Sequence, residues 1–199
     1  MPEVAGQTEP PEKPGIHPAL TPAAPRRPDD LLVFRLGRLL ILLDSLPDLG
    51  SAKPLHLERL GYYDFFSDSP FLILGPDDPL RRRLLLEGFS ERSLSYNSSA
   101  QRFTNRRTRL RHDLALLTSR ALVEIATEGN HVTFALSEKG RASARRLGTL
   151  YADAFRSSAE IVVRILNRLS DKKLNEKASE WLRADPFLID IYEPSEVLP

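Results

Sequence analysis

Between residues 105 and 136 the spacing of apolar side chains changes from helical to extended. Three leucines at steps of four and three predict an amphipathic helix over about 105–120. Two short alternating runs, 122–127 and 132–136, then predict a β-hairpin that turns at Glu128-Gly129-Asn130. The residues that set these patterns are Leu110, Leu114, Leu117, Leu122, Val123, Ile125, Thr127, Val132, Phe134 and Leu136.

Helical patterns flank the hairpin on both sides. The predicted helices are Leu31–Leu46, Leu55–Phe66, a short one over 80–89, a long one from about Glu138 to Ser170 that Ser137 can cap and Gly148 can bend, and a further piece over Lys172–Trp181. A polar loop is predicted over 90–105. Helix, helix, loop, helix, hairpin, helix is the order of elements in a winged helix-turn-helix domain, although helix–hairpin–helix also occurs in unrelated α+β folds. We therefore predict a mainly α chain with a small β-hairpin, a winged helix-turn-helix with an extra long C-terminal helix.

The sequence predicts a chain of three parts, the first of which is marked by proline. Eight of its 16 prolines lie within residues 1–28, where large apolar residues are few, which predicts a disordered Pro-rich tail. The winged-helix domain with its long helix is predicted over 29–170. A short helix and a tail are predicted over 171–199.

Positive charge is concentrated in one stretch of an almost neutral chain. The 199 residues carry net charge +1, yet residues 81–111 contain nine arginines and two glutamates, a local balance of +7. In a winged helix the N-terminal part of the third helix enters the major groove, and the arginine fork suits phosphate and guanine. The residues predicted to contact DNA are Arg102, Arg106, Arg107, Arg109 and Arg111, with Asn130 and His131 at the wing. A solvated helix face, or a face for an acidic partner protein, remains the alternative.

Motifs for catalysis and for cofactor binding are missing from the sequence. There is no cysteine, no two glycines lie closer than eight residues, and the four histidines are scattered without metal-ligand spacing. We therefore predict a protein that is not an enzyme and has neither cofactor nor metal. No apolar run reaches the ~18–20 residues of a membrane span, and the N-terminus lacks a signal-peptide pattern, so we expect a cytoplasmic protein.

Two apolar groups are candidates for binding a partner. Tyr62, Tyr63, Phe65 and Phe66 crowd the end of the second helix, where they are either interface anchors or, with more weight, core.

The second group lies in the distal half of the long helix and includes Ile161 and Ile165. This half predicts an exposed patch through which the chain, together with its first helix, forms a homodimer or docks a second subunit. The alternative is that the first helix and the 172–181 segment fold back over it.

Three segments resemble a known family. The first helix reads Phe-Arg-Leu-Gly-Arg-Leu-Leu-Ile-Leu-Leu over 34–43, the second reads Leu-Glu-Arg-Leu-Gly-Tyr-Tyr-Asp-Phe-Phe over 57–66, and 109–124 is a helix that runs into a strand. Together they resemble, over about residues 31–165, the small middle components of bacterial ABC-three-component (ABC-3C) conflict systems. These components are similar to the small subunit of Lamassu-type anti-phage defence. The segment after Phe66 lacks a Gly-Gly-Pro-rich loop with a histidine, so the resemblance does not extend to a subtype.

The resemblance implies a function that composition does not give. It implies a non-enzymatic winged-helix adaptor subunit whose partners are an SMC-like or RecF-like ABC ATPase and an effector, and which ties DNA sensing by the ATPase to effector control. The competing hypothesis from the residues is an autonomous winged-helix transcription regulator that binds double-stranded DNA. A scaffold without a DNA role is a third reading.

Overall fold

The computed structural model describes residues 28–46, 55–90, 98–129 and 131–183. The predicted tail before Pro28, the tail after 183 and the turn residue Asn130 lie outside the described residues.

Seven α-helices and one two-stranded antiparallel sheet make up the described part of the chain. In chain order they are α1 Leu32–Ser45, α2 Leu57–Asp68, α3 Pro79–Leu86, α4 Ser99–Ser119, β1 Val123–Glu128, β2 His131–Leu136, α5 Glu138–Arg145, α6 Leu150–Asn167 and α7 Asp171–Arg183. Short 3-10 turns cover Pro28–Asp30 and Pro70–Leu72. The prediction of a mainly helical chain with one small hairpin is confirmed.

Side-chain caps fix where most of the helices begin. Six N-cap side chains accept a hydrogen bond from a backbone N–H of the first turn, which satisfies a donor that has no partner inside the helix. They are His56, Asp78, Ser98, Ser137, Thr149 and Ser170. Pro79 also occupies the first turn of α3, where its missing N–H costs nothing.

The prediction of one long helix over 138–170 is wrong, because the chain turns a corner after Arg145 and a new helix begins at Leu150. The Thr149 hydroxyl accepts from the backbone N–H of Ala152 at 3.1 Å and starts α6. On the other side of the corner, the Arg156 guanidinium donates to the carbonyl oxygens of Ala144 and Leu147, each at 2.9 Å. These two oxygens lie at the C-terminal end of α5, so a side chain of α6 caps the preceding helix.

The predicted polar loop over 90–105 is wrong for its second half. Helix α4 begins at Ser99, capped by the Ser98 hydroxyl, and Phe103 is buried. The spacing of apolar residues did not reveal the N-terminal part of α4, because most residues there are polar. The hairpin itself has the predicted bounds to within one residue.

Helices α1, α2 and α6 form the centre of the core. Helix α6 packs along both α1 and α2, with Leu42, Leu60, Phe155 and Val162 fully buried among them. Helix α4 packs on α2, and α5 packs on α1. At the base of the hairpin Val123 pairs with Leu136, and both are buried.

The exposed patch predicted for the distal half of the long helix is absent, because that half is buried within the chain. Helix α1 packs along α6, and Leu174 of α7 shares a core cluster with Leu166, as the fold-back alternative expected. Ile161 is buried against Leu74 and Leu84, which belong to a segment that no prediction placed there. The surface proposed for self-association is therefore core in this fold.

A substitution at Gly140 tests how α5 packs against the backbone at Leu122. A Cβ at this position would lie 2.0 Å from the carbonyl oxygen of Leu122, which is backbone and has no rotamer to change. We expect Gly140→Ala to lower the free energy of unfolding by about 1–3 kcal/mol or more, since overpacking against backbone forces a shift. The matched control is Gly37→Ala, where a Cβ would meet a leucine methyl at an ordinary 3.6 Å and helix propensity favours alanine. Urea unfolding measures both, and a Gly140→Ala variant as stable as the wild type would contradict this packing.

Candidate functional site

A buried network of arginines and aspartates joins three helices. The Arg38 guanidinium of α1 lies 3.1 Å from the Asp64 carboxylate and 3.4 Å from the Asp68 carboxylate, both on α2. Arg106 of α4 contacts the same two carboxylates, at 3.4 Å from Asp64 and 3.1 Å from Asp68. The Arg38 and Asp64 side chains are 1% and 3% exposed, so both charges are almost fully removed from water.

A second ion pair fastens α1 to α4. The Arg35 guanidinium donates to both carboxylate oxygens of Asp113, at 2.8 Å and 2.9 Å. This two-point geometry is the strong form of an arginine–carboxylate pair. Arg106, one of the predicted DNA contacts, therefore belongs with Arg35 and Arg38 in the structural framework.

Arg59 ties α2 to the end of α6 and the start of α7. Its guanidinium, 1% exposed, donates to the carbonyl oxygens of Leu166 at 3.0 Å and Leu169 at 2.8 Å, and to the Tyr63 hydroxyl at 2.8 Å. It also forms an ion pair with Asp171. Burial raises the pKa of the Asp171 carboxyl, but Arg59 and the His56 ring lower it more, so the pKa lies below its ordinary value. Sequence reasoning did not single out Arg59, although it is the one basic residue in positions 57–66.

The other arginines predicted to bind DNA lie on more than one face of α4. Arg102 donates to the Ser99 hydroxyl at 3.0 Å and lies over the Phe65 ring. Arg107 and Arg109 are exposed, but each forms an ion pair within the chain, with Glu58 and Asp30 respectively. The exposed Arg111 forms no ion pair with a described residue.

At the predicted wing, His131 is exposed at the start of β2, and its ring stacks on His56 at 5.2 Å. The structure thus brings His131 to α2 and leaves the arginines of α4 spread between core and surface.

The aromatic group at the end of α2 is mainly core. Tyr63, Phe65 and Phe66 are buried. Tyr62 is half-buried, with its ring stacked on Phe103 at 5.2 Å and its hydroxyl donating to Asn175 at 2.9 Å. Burial raises the pKa of both Tyr62 and Tyr63 above the usual tyrosine range. Of the other residues predicted to bind a partner, Ile161 is buried and Ile165 is half-buried.

Helix α5 carries an exposed group of basic residues that sequence reasoning did not single out. We define the α5 basic face as Lys139, Arg141, Arg145 and Arg146, with Arg120 from the end of α4. All five are exposed, and the Lys139 ammonium donates to the Arg120 carbonyl oxygen at 2.9 Å. None of them forms an ion pair with any residue that the structure describes. The available signal was four basic residues and one glutamate in the nine positions 138–146.

Exposed apolar side chains meet where α1 and α6 begin. The rings of Phe34 and Tyr151 lie 4.8 Å apart, and their neighbours in the chain, Val33 and Leu150, are 83% and 91% exposed. Tyr151 also packs on Phe155, and burial raises the pKa of its hydroxyl above the ordinary value. We call Val33, Phe34, Leu150 and Tyr151 the apolar end patch.

The described segments hold no group of three or more histidine, aspartate and glutamate side chains arranged to bind a metal ion. A cleft of about 240 Å³ between α2 and α7 is lined by polar side chains that the Arg59 network already uses, among them His56 and Asp171. None of the helices described combines the length and apolar character that a membrane span requires.

Comparison with known proteins gives one family match. Residues 90–184 match the family model described as ABC-three component (ABC-3C) system Middle Component 2. The match covers just under half of the chain, from α4 through the hairpin to α7. It supports the resemblance to middle components that the motif over 109–124 indicated, while the motifs in α1 and α2 lie outside it. No significant match was found among curated proteins or among solved structures.

Asp64 provides a test of the buried network. In Asp64→Asn, the guanidinium groups of Arg38 and Arg106 lose the buried charge between them, and breaking such a pair costs about 3–5 kcal/mol. The matched control is Glu58→Gln, which breaks the exposed pair with Arg107 and is expected to cost about 1 kcal/mol or less. Denaturant unfolding followed by circular dichroism measures both, and equal losses would contradict the structural role of Asp64.

Proposed function

We propose that this chain is the non-enzymatic adaptor subunit of an ABC-3C anti-phage defence complex, similar to the Lamassu type. Its partners are an SMC-like or RecF-like ABC ATPase and an effector, and it couples DNA sensing to effector control. The observation that carries this proposal is the match of residues 90–184 to the Middle Component 2 model. The absence of cysteine and of glycine-rich phosphate loops from the sequence is consistent with a subunit that leaves nucleotide chemistry to a partner.

The order of elements supports a winged-helix reading of the DNA-facing part. Helix α4 takes the place of the recognition helix and the β1–β2 hairpin that of the wing. The exposed residues of α4 include Thr108, Arg111, His112, Ala115 and Ser119. Most of the hairpin beyond its buried base is also exposed. Of the DNA contacts predicted from sequence, Arg111 and His131 fit this reading best.

The apolar end patch is the surface we assign to the ATPase. It joins an aromatic pair to two exposed aliphatic side chains, the kind of group that anchors protein interfaces. This assignment replaces the distal half of α6, which the fold buries.

A second function, that of an autonomous DNA-binding regulator, is favoured by one observation. The basic residues on α5 follow the exposed hairpin directly in the chain, and both are exposed to solvent in the chain without a partner. The two functions differ in what the chain binds in the cell. An adaptor is recovered with an ATPase, whereas a regulator is recovered without one and shifts its own upstream DNA at low salt.

Co-purification from the native operon tests the adaptor function. We expect an ABC ATPase to elute with the tagged chain in size-exclusion chromatography. Recovery of the chain without an ATPase, from cells that express all the neighbouring genes, would contradict the proposal.

Two exposed leucines then test the docking surface. Leu150→Asp places a charge in the apolar end patch, so we expect the ATPase to be lost from the complex. Leu86→Asp is the matched control, since Leu86 is 85% exposed on α3, outside the patch. If Leu150→Asp retains the ATPase as well as the control does, the patch assignment is wrong while the adaptor function stands.

A further inference from the structure

Two groups of arginines in this chain differ in burial and in their contacts with acidic side chains. Arg35, Arg38, Arg59 and Arg106 each contact an aspartate, and their side chains are largely buried. The α5 basic face is exposed and makes no ion pair with a described residue. The α5 basic face thus groups five such side chains, whereas in the described part of the arginine-rich stretch 81–111 the exposed arginines without an ion pair to a described residue are Arg82 and Arg111.

The packing of α5 determines which side chains it presents. Gly140 lies against the Leu122 carbonyl, and Ala144 is fully buried in the core. Since a helix advances about 100° per residue, burying these two positions turns Lys139, Arg141 and Arg145 outward. Arg146, which follows the last residue of α5, is also exposed.

The α5 basic face is electrostatically unfavourable on its own. Arg141 and Arg145 are one turn apart, a spacing at which like charges repel. Glu138 is the single acidic residue between 137 and 149, and it forms no ion pair with a described residue. Binding of an anionic ligand would relieve this repulsion.

The chemistry of the face favours a phosphate backbone over a protein. Four of its five side chains are guanidinium groups, which bind phosphate oxygens in a bidentate manner. The exposed positions 138–146 include alanine and charged residues but no aromatic or large aliphatic side chain. A protein interface usually needs such an anchor at its centre.

The position of the α5 basic face next to the hairpin also favours DNA as its ligand. The Ser137 hydroxyl donates to the Ala121 carbonyl at 2.8 Å and accepts from the Gly140 N–H at 3.0 Å. The Ser137 N–H donates to the Leu122 carbonyl at 3.2 Å. Serine therefore fixes the start of α5 to the base of the hairpin, so a duplex bound by α5 lies beside the wing.

We propose that the α5 basic face binds the sugar–phosphate backbone of double-stranded DNA without reading its sequence. The proposal deepens the DNA role within the proposed function, because it names a surface by which this subunit itself holds the duplex. Backbone contacts of this kind position a protein on DNA, and they make its affinity depend on salt.

Fluorescence anisotropy with the isolated full chain and a labelled duplex of about 25 base pairs of mixed sequence tests the proposal. We expect binding at low salt that R141A/R145A/R146A weakens at least tenfold. If each arginine holds one phosphate, the slope of log K against log salt becomes shallower by about 2.7. Two duplexes of unrelated sequence are expected to bind equally.

The matched control is R82A/R107A/R109A, which removes the same charge from exposed arginines outside the face. We expect less than a twofold change, because Arg107 and Arg109 are paired with acidic residues. Thermal unfolding checks that both triple variants are folded.

Three outcomes would overturn the proposal. They are no binding by the wild type at low salt, an equal loss in the control triple, and displacement of the duplex by polyglutamate at equal charge concentration. The last would identify an acidic protein as the ligand. Because the isolated chain is used, failure here leaves the adaptor function standing, and loss of the ATPase from the complex leaves this result standing.

Discussion

The Asp64 carboxylate, shared by two guanidinium groups, is the interaction on which the arrangement of helices depends. It holds Arg38 of α1 and Arg106 of α4 against α2, and Asp68 adds a second contact to each. Buried charges are tolerated only when they are paired, and this arrangement of the three helices pairs all four charges of the network. Because α4 leads directly into β1, the same network sets where the hairpin projects.

Arginine has a second structural use in this fold, as a cap for the C-terminal ends of helices. Arg59 donates to carbonyl oxygens at the end of α6, and Arg156 donates to those at the end of α5. A cation beside unpaired carbonyls also matches the negative end of the helix dipole. Several arginines are therefore bonded within the fold. A count of basic residues in the sequence overstates the positive charge that is available to bind a ligand.

Local patterns predicted the elements better than the contacts among them. The leucines up to Leu117 repeat at helical spacing and the hairpin residues alternate as in a strand. These repeats correctly predicted α4, β1 and β2. Gly148 indicated a point where one long helix could bend, but two separate helices were not predicted, because the apolar stripe continues at helical spacing past Gly148 and the cap Thr149. The partners of Arg106 were missed because its carboxylates lie 38 and 42 residues away in the chain. Pairing at that range depends on packing, which no local period encodes.

Modification of the folded chain by phenylglyoxal, with each arginine quantified by peptide mass spectrometry, tests the division of the arginines most directly. The structure predicts that Arg38 and Arg59 stay unmodified with or without a DNA duplex. Arg141, Arg145 and Arg146 are predicted to react rapidly in the free chain and to be protected when the duplex is added. Rapid modification of Arg38 and Arg59, or protection by DNA of the α4 arginines and not of those on α5, would contradict the account.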